Sequence, residues 1–161
     1  MLGDPGVGKT SIINRYIKNV FSADYLSTIG ANVSTKELDI EGTTLILSLW
    51  DIAGQTTSRS LSASHYSGSG GAVFVYDMTS QASFDDLVQW EFQLKKAVKD
   101  IPSIVIANKT DLIDVKTVPE SRFPVGYKVR PNFFQVSAKT GEGLSAAFQY
   151  LGRQLLRSDG V

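Results

Sequence analysis

Apolar and polar residues alternate along this chain in blocks that predict strands and helices in turn. Short apolar runs predict four buried strands, which are Leu45–Leu49, Ala72–Tyr76, Ser103–Ala107 and Phe133–Val136. Apolar residues at helical spacing predict three helices, which are one from about Lys9, Ser83–Lys99 and Leu144–Leu156. In the second of these helices, the spacing predicts that Trp90 is a core residue. Strands that alternate with helices indicate an α/β fold with helices on both faces of one sheet.

Turn residues divide these elements. Glu41-Gly42 predicts the turn of a strand hairpin, and the loop around Gln55 is expected to continue into a short helix. Between Asp111 and Phe133, prolines and a glycine exclude a long helix, so the pattern predicts no more than a short one near Pro119–Phe123.

The start of the chain matches the phosphate-binding P-loop pattern G-x-x-x-x-G-K-[ST]. The matching residues are Gly3, Asp4, Pro5, Gly6, Val7, Gly8, Lys9 and Thr10, and Ser11 follows in the predicted helix. The glycines let the backbone approach an anion, and the helix N-terminus adds positive potential. Lys9 is expected to bind the terminal phosphates, and the Thr10 hydroxyl is a candidate Mg²⁺ ligand. The pattern predicts a site for a nucleoside di- or triphosphate.

Two motifs further along the chain predict that the base is guanine. Asn108-Lys109-Thr110-Asp111 and Ser137-Ala138-Lys139 each follow an apolar strand, at the edge where open α/β sheets bind ligands. A carboxylate at Asp111 can accept from the N1–H and the 2-amino group of guanine, whereas adenine would leave it unpaired. The Ala138 N–H is expected to meet guanine O6.

Between these motifs lie candidate residues for sensing the γ-phosphate. Asp51 would hold Mg²⁺ through a water molecule, and the Gly54 N–H would meet the γ-phosphate. Gln55 would orient the attacking water, and Thr28 is a second hydroxyl candidate for the metal.

Composition narrows the class of protein. Sixteen basic and sixteen acidic residues cancel, so charge gives no reason to expect a nucleic-acid partner. The absence of cysteine excludes disulfides and thiolate metal sites. No run approaches the roughly 20 apolar residues of a membrane span. We expect one monomeric domain in the cytoplasm, including the cytoplasmic face of intracellular membranes.

With these motifs the chain resembles the Ras-like small GTPases, and the Rab branch most closely. The matching motifs are GDPGVGKT, Thr28-Ile29-Gly30, WDIAGQ, NKTD and SAK, and the similarity extends over essentially the whole chain. It implies the small-GTPase fold, a mostly parallel sheet with one antiparallel edge strand. It also implies a switch that binds GTP or GDP with Mg²⁺ and hydrolyses GTP slowly, with Gln55 and Lys9 as catalytic residues. Vesicle trafficking, an activating protein, an exchange factor and effectors are implied as well.

The sequence departs from this family at both ends and in two loops. In relatives, a whole central strand leads into the P-loop, and of this strand only Met1-Leu2 remain here. The prenylated tail of relatives has no counterpart in this sequence either. We therefore expect residues 1–161 to be a single domain that is truncated at both ends. Without that tail, a membrane would be reached only through a missing segment or a partner. Pro5 and Thr56-Thr57-Ser58 stand where relatives carry other residues. Two alternatives therefore stay open: a nucleotide-binding scaffold with little hydrolysis, and a non-functional fragment.

Overall fold

The computed structural model describes residues 1–22, 31–52, 65–115 and 132–158. The strands are β1 Ala31–Ile40, β2 Thr43–Ile52, β3 Ala72–Asp77, β4 Ser103–Asn108 and β5 Phe133–Gln135. The helices are α1 Lys9–Lys18, α2 Gln81–Asp85, α3 Leu87–Ala97 and α4 Leu144–Ser158, and Thr110–Val115 forms a 3₁₀ helix.

The strands form a parallel group and an antiparallel pair. β3, β4 and β5 are parallel and lie in that order, and β1 pairs with β2 as a hairpin. The predicted turn at Glu41-Gly42 is confirmed: both residues have positive φ, and Ile40 pairs directly with Thr43. Positive φ at both central residues gives the tight turn that matches the twist of a hairpin.

Met1 and Leu2 lie between the two groups of strands. The Leu2 N–H donates to the Val73 carbonyl and the Leu2 carbonyl accepts from the Val75 N–H, both at 2.8 Å. On the other side, the Met1 nitrogen donates to the Trp50 carbonyl at 2.9 Å. These two residues therefore link the hairpin to the parallel sheet just before the P-loop begins.

Helices cover both faces of the sheet, as predicted. On one face, α1 and α4 pack against the strands through buried residues that include Ile12, Phe148 and Leu151. On the other face, α2 and α3 pack through Phe84 and Trp90. The β3 strand shows why both faces are apolar: all its residues are buried, because alternate side chains enter opposite layers of core.

The predicted helix Ser83–Lys99 is divided and shortened. α2 starts two residues earlier than predicted, because the Ser80 side chain caps it by accepting from the Ser83 N–H at 3.3 Å. The helical segments meet at Asp86, and α3 ends at Ala97 because Val98 is extended. The helices proposed near Pro119–Phe123 and after Gln55 fall outside the described residues.

Candidate functional site

The P-loop closes tightly against the sheet. Gly3, Gly6 and Gly8 all have positive φ, and Gly8 caps the N-terminus of α1. A Cβ on Gly3 would lie 2.1 Å from the Val75 carbonyl oxygen, and one on Gly8 would lie 2.3 Å from the Asn108 amide nitrogen. Only glycine meets both demands, conformational and steric, at these two positions. Pro5 and Gly6 are exposed at the tip of the turn, Val7 is buried in the core, and Ser11 lies in the first turn of α1.

The Lys9 side chain folds back into the loop. Its Nζ donates to the carbonyl of Gly3 at 2.7 Å and to that of Asp4 at 2.8 Å. Burial lowers the pKa of Lys9 from 10.5 to about 8, although the carboxylates of Asp51 and Asp4 favour the charged form. The effect of burial on this amine therefore outweighs that of the two nearby carboxylates.

Thr10 and Asp51 meet at the C-terminal end of β2. The Thr10 hydroxyl donates to Asp51 Oδ2 at 2.5 Å, and the Asp51 side chain is buried. The other carboxylate oxygen, Oδ1, is buried without a hydrogen-bond partner among the described residues. A buried carboxylate oxygen without a partner is costly unless a ligand satisfies it. Two hard oxygen ligands, the hydroxyl and the carboxylate, are therefore together beside the P-loop, and this donor set suits Mg²⁺.

Asn108 joins the P-loop to both motifs predicted to bind the base. Its Nδ2 donates to the Val7 carbonyl at 2.9 Å, and its Oδ1 accepts from the Ala138 N–H at 3.0 Å. The residue is 1% exposed, so both hydrogen bonds are shielded from water. The contact between the Ala138 N–H and guanine O6 stays a prediction, since here that N–H donates to Asn108.

Asp111 lies close to the Ser137-Ala138-Lys139 segment. Its Oδ1 accepts from the Ser137 hydroxyl at 2.6 Å, and the Lys139 amine lies 4.0 Å from its Oδ2. Ser137 is fully buried, and its hydroxyl also accepts from the Thr140 N–H at 3.1 Å. The carboxylate predicted to read guanine is thus held in one orientation by the neighbouring loop.

Lys109 has an ion-pair partner that the sequence analysis did not identify. Its Nζ lies 2.6 Å from Asp77 Oδ2 at the end of β3, while Asp77 Oδ1 accepts from the Thr79 N–H and hydroxyl. Lys109 also has φ of 71°, an unusual value for a residue other than glycine. The ion pair therefore fixes the side chain of Lys109, a residue that directly follows β4 and has a strained backbone conformation.

Two further residues support the site and were also missed. Arg15 of α1 donates from Nε to the Ala138 carbonyl at 3.0 Å and also binds the Lys139 carbonyl. Trp90, predicted to be a core residue, is indeed buried, and its Nε1 also donates to Asp4 Oδ1 at 2.8 Å. Burial raises the pKa of Asp4, and the neighbouring Asp86 raises it further, whereas the Trp90 hydrogen bond opposes the shift. No local pattern signals these contacts, because their partners are distant in sequence.

The structure brings together the predicted residues of the P-loop, Asp51, and the two base motifs. Thr28, Gly54 and Gln55 lie outside the described residues, so their predicted roles stay predictions. Val33, Trp50 and His65 are all exposed, and Val33 pairs with Trp50 across the hairpin. Within the described ranges, no helix has the length and apolarity that would let it cross a membrane.

Comparisons with known proteins agree on one family. The model of the Ras family matches residues 1–157. The chain is 38% identical to the Ras-related protein RABG3f of Arabidopsis thaliana, over 98% of this chain and 81% of that protein. It is 39% identical to the Ras-related protein Rab-7b of Paramecium octaurelia, over 95% of this chain and 78% of that protein. It is 33% identical to the GTP-binding protein ypt1 of Schizosaccharomyces pombe, over 96% and 77% of the two chains.

Proposed function

This chain belongs to the Ras family, in its Rab-like branch, and we propose that it binds GTP and GDP at the P-loop and switches between the two states. It is a small GTPase, a GTP hydrolase of the kind that acts in membrane trafficking. Family membership favours this function over the scaffold and the non-functional fragment.

The phosphates would lie on the loop from Gly3 to Thr10. Main-chain N–H groups at the start of α1 would donate to their oxygens, and Lys9 would supply the positive charge. The buried Lys9 amine supports this role, because burial disfavours its charged form and lowers its pKa, and negative charge beside the amine would stabilise that form. Phosphate oxygens would supply that charge.

Thr10 and Asp51 would hold Mg²⁺, with Thr28 as a further ligand. The Oδ1 atom of Asp51, which has no hydrogen-bond partner in the described part of the chain, supports this assignment best, since a buried carboxylate oxygen next to a hydroxyl suits a hard cation. A bound Mg²⁺ would neutralise charge on the phosphate oxygens. The protein's own contribution is to hold the Asp51 carboxylate in one orientation beside the Thr10 hydroxyl.

The base would lie between the two loops that Asn108 connects. Asp111 would select guanine, the Lys109 stem would cover one face of the base, and the segment Ser137–Lys139 would border its edge. Asn108 would act indirectly, because both ends of its amide are used in hydrogen bonds that hold these loops and the P-loop together.

Hydrolysis would need a water molecule in line with the γ-phosphate. Gln55 would orient this water and the Gly54 N–H would contact the γ-phosphate, so the protein's part is positioning and electrostatics. Such catalysis is slow without an activating protein. We propose that an activating protein, an exchange factor and effectors act on this chain. Rab-family proteins act on intracellular membranes, and we place this protein at their cytoplasmic face.

Single-turnover hydrolysis of γ-labelled GTP tests the switch function. The wild-type chain is expected to release phosphate slowly, and Gln55→Leu is expected to reduce the rate at least about tenfold without weakening GTP binding. Thr57→Ala, two residues further along the chain, is the matched control and should leave the rate unchanged. Equal rates for wild type and Gln55→Leu would show that Gln55 does not position the water. Bound GTP that is never hydrolysed by the wild type would instead support a scaffold.

A further inference from the structure

Lys9 uses part of its hydrogen-bonding capacity within the P-loop itself. Its amine donates to the Gly3 carbonyl at 2.7 Å and to the Asp4 carbonyl at 2.8 Å. An ammonium group has three N–H donors at fixed angles, so two fixed acceptors determine the direction of the third donor. The direction in which Lys9 presents this third N–H therefore depends on how firmly the two carbonyls are held.

The sheet holds the first of these carbonyls. Gly3 lies so close to β3 that a Cβ at this position would be 2.1 Å from the Val75 carbonyl oxygen. The preceding residue, Leu2, is hydrogen-bonded to β3 through both its N–H and its carbonyl. The packing of the main chain against this strand thus sets the position of the Gly3 carbonyl.

The second carbonyl belongs to the residue at which the loop leaves the sheet. Asp4 is partly exposed, and Pro5 and Gly6, which follow it, are exposed. A side-chain hydrogen bond ties Asp4 back to the fold, because Trp90 Nε1 donates to Asp4 Oδ1 at 2.8 Å. The partner is 86 residues away in the sequence and lies on α3.

Trp90 is a rigid donor for this hydrogen bond. Its side chain is 2% exposed and belongs to the apolar layer that also contains Phe84 and Leu87. The indole N–H is the polar group of this side chain, and its direction is fixed once the ring is packed. A hydrogen bond to a carboxylate is also stronger than one between neutral groups. The core under α3 therefore holds the Asp4 side chain in place.

We propose that Trp90 is a positioning residue for phosphate binding: by holding the Asp4 side chain, it fixes the Asp4 carbonyl and so directs the Lys9 amine towards the terminal phosphates. This inference rests on the proposed guanine-nucleotide function. Trp90 acts through Asp4, since its own ring is buried in the core. The alternative is that Asp4 merely satisfies a buried indole N–H, in which case the hydrogen bond contributes to stability alone.

Affinities for GDP and GMP separate these two roles, because GMP lacks the terminal phosphate that Lys9 is expected to bind. Trp90→Phe keeps an aromatic ring in the core and removes the donor. It should weaken GDP binding about tenfold, as expected for the loss of a hydrogen bond to a charged group, and change GMP binding less than about twofold. Displacement of a fluorescent GDP analogue from the full chain in Mg²⁺ gives both affinities. Leu94→Val, a buried substitution on the same helix, is the matched control and should leave the ratio of the two affinities unchanged.

Substitutions at Asp4 and Lys9 test the connection between Trp90 and the phosphates. Asp4→Ala removes the acceptor and should have the same effect as Trp90→Phe, and combining the two should weaken GDP binding no further. Asp4→Asn keeps an oxygen acceptor and should retain most of the affinity for GDP. In a Lys9→Met background, Trp90→Phe should leave the ratio of GDP to GMP affinity unchanged, because the amine that it positions is gone.

An NMR measurement checks the hydrogen bond itself. With isotope-labelled tryptophan, the full chain should give two indole N–H signals, from Trp50 and Trp90. Asp4→Ala should shift the Trp90 signal and speed the exchange of this N–H with water at least about tenfold, since a buried donor loses its partner. The signal of Trp50, which is 55% exposed, should stay unchanged.

Three results would overturn the proposal. The first is an equal loss of GDP and GMP affinity in Trp90→Phe or, if that variant does not fold, in Asp4→Ala. The second is a full effect of Trp90→Phe on the affinity ratio in the Lys9→Met background. The third is a Trp90 indole signal that does not respond to Asp4→Ala. All three leave the proposed function intact as long as the wild-type chain binds GDP, whereas a wild type that binds neither nucleotide would contradict the proposed function itself and this inference with it.

Discussion

The base side and the phosphate side of the candidate site differ in how far the protein satisfies its own polar groups. On the base side, hydrogen bonds and an ion pair engage the amide of Asn108, the carboxylate of Asp111 and the amine of Lys109. On the phosphate side, Asp51 Oδ1 has no partner among the described residues, and Lys9 is a buried amine with a lowered pKa.

This difference indicates that the two sides of the site contribute to nucleotide binding in different ways. A base entering preformed loops costs little ordering of side chains, so the base side provides selectivity through a fixed geometry. The phosphate side instead has the buried Asp51 carboxylate and the buried Lys9 amine, and a divalent cation together with an anion would satisfy them. We therefore expect changes on the base side to alter which nucleotide binds, and changes on the phosphate side to alter protonation and stability.

The largest effect is expected from Asp111→Asn on the base side. The amide can no longer accept both guanine hydrogen bonds, so GTP should bind about 100-fold or more weakly, and xanthosine triphosphate should be preferred. Competition between the two nucleotides, measured by displacement of a fluorescent analogue, gives the preference. Ser137→Ala, which removes the hydrogen bond to Asp111 but keeps the carboxylate, should still prefer GTP. An unchanged preference in Asp111→Asn would contradict the assignment of this side to guanine.

A smaller effect is expected from pH on the phosphate side. Lys9 has a folded-state pKa of about 8, below its ordinary 10.5, so between these values the unfolded chain binds more protons than the folded one. The free energy of unfolding of the nucleotide-free protein should therefore rise with pH from about 8 to 10, by on the order of 1–2 kcal/mol. Above pH 10 the sign reverses, because burial raises the pKa of Tyr16 from 10.0 to about 12.

Urea unfolding at several pH values measures this dependence. Lys9→Met, which keeps most of the side-chain length without the amine, should show no rise between pH 8 and 10. A wild-type protein whose stability falls across this range would contradict the description of Lys9 as an amine whose pKa is lowered by burial.

The smallest effect is expected from Asp77→Asn, which weakens the support of the base side without removing a predicted base contact. The loss of the ion pair to Lys109 should cost about 1 kcal/mol and speed GDP release about fivefold. Release is followed with a fluorescent GDP analogue. Thr79→Ala removes another hydrogen bond of Asp77 but keeps the ion pair, and its release rate should stay near that of the wild type. If both variants release GDP equally fast, the ion pair is not what positions Lys109.

The sequence predicted the parts of this molecule that depend on local chemistry. The Glu41-Gly42 turn, the glycines of the P-loop and the apolar runs of β3 and β4 follow from backbone preference and periodicity. The contacts of Lys109 with Asp77 and of Arg15 with Ala138 could not be predicted in this way, because they join positions far apart in the chain. Trp90 shows the same limit: helical spacing indicated a core residue, and only the fold brings its indole N–H to Asp4.

The nucleotide content of the purified 161-residue chain tests most directly whether both sides form one guanine-nucleotide site. The protein is purified in Mg²⁺, denatured, and its released nucleotides are separated by chromatography. We predict close to one equivalent of GDP plus GTP per chain, and an Asp111→Asn sample depleted of both. A folded wild-type chain that carries no guanine nucleotide and takes up none when GTP·Mg²⁺ is added would contradict the proposed site.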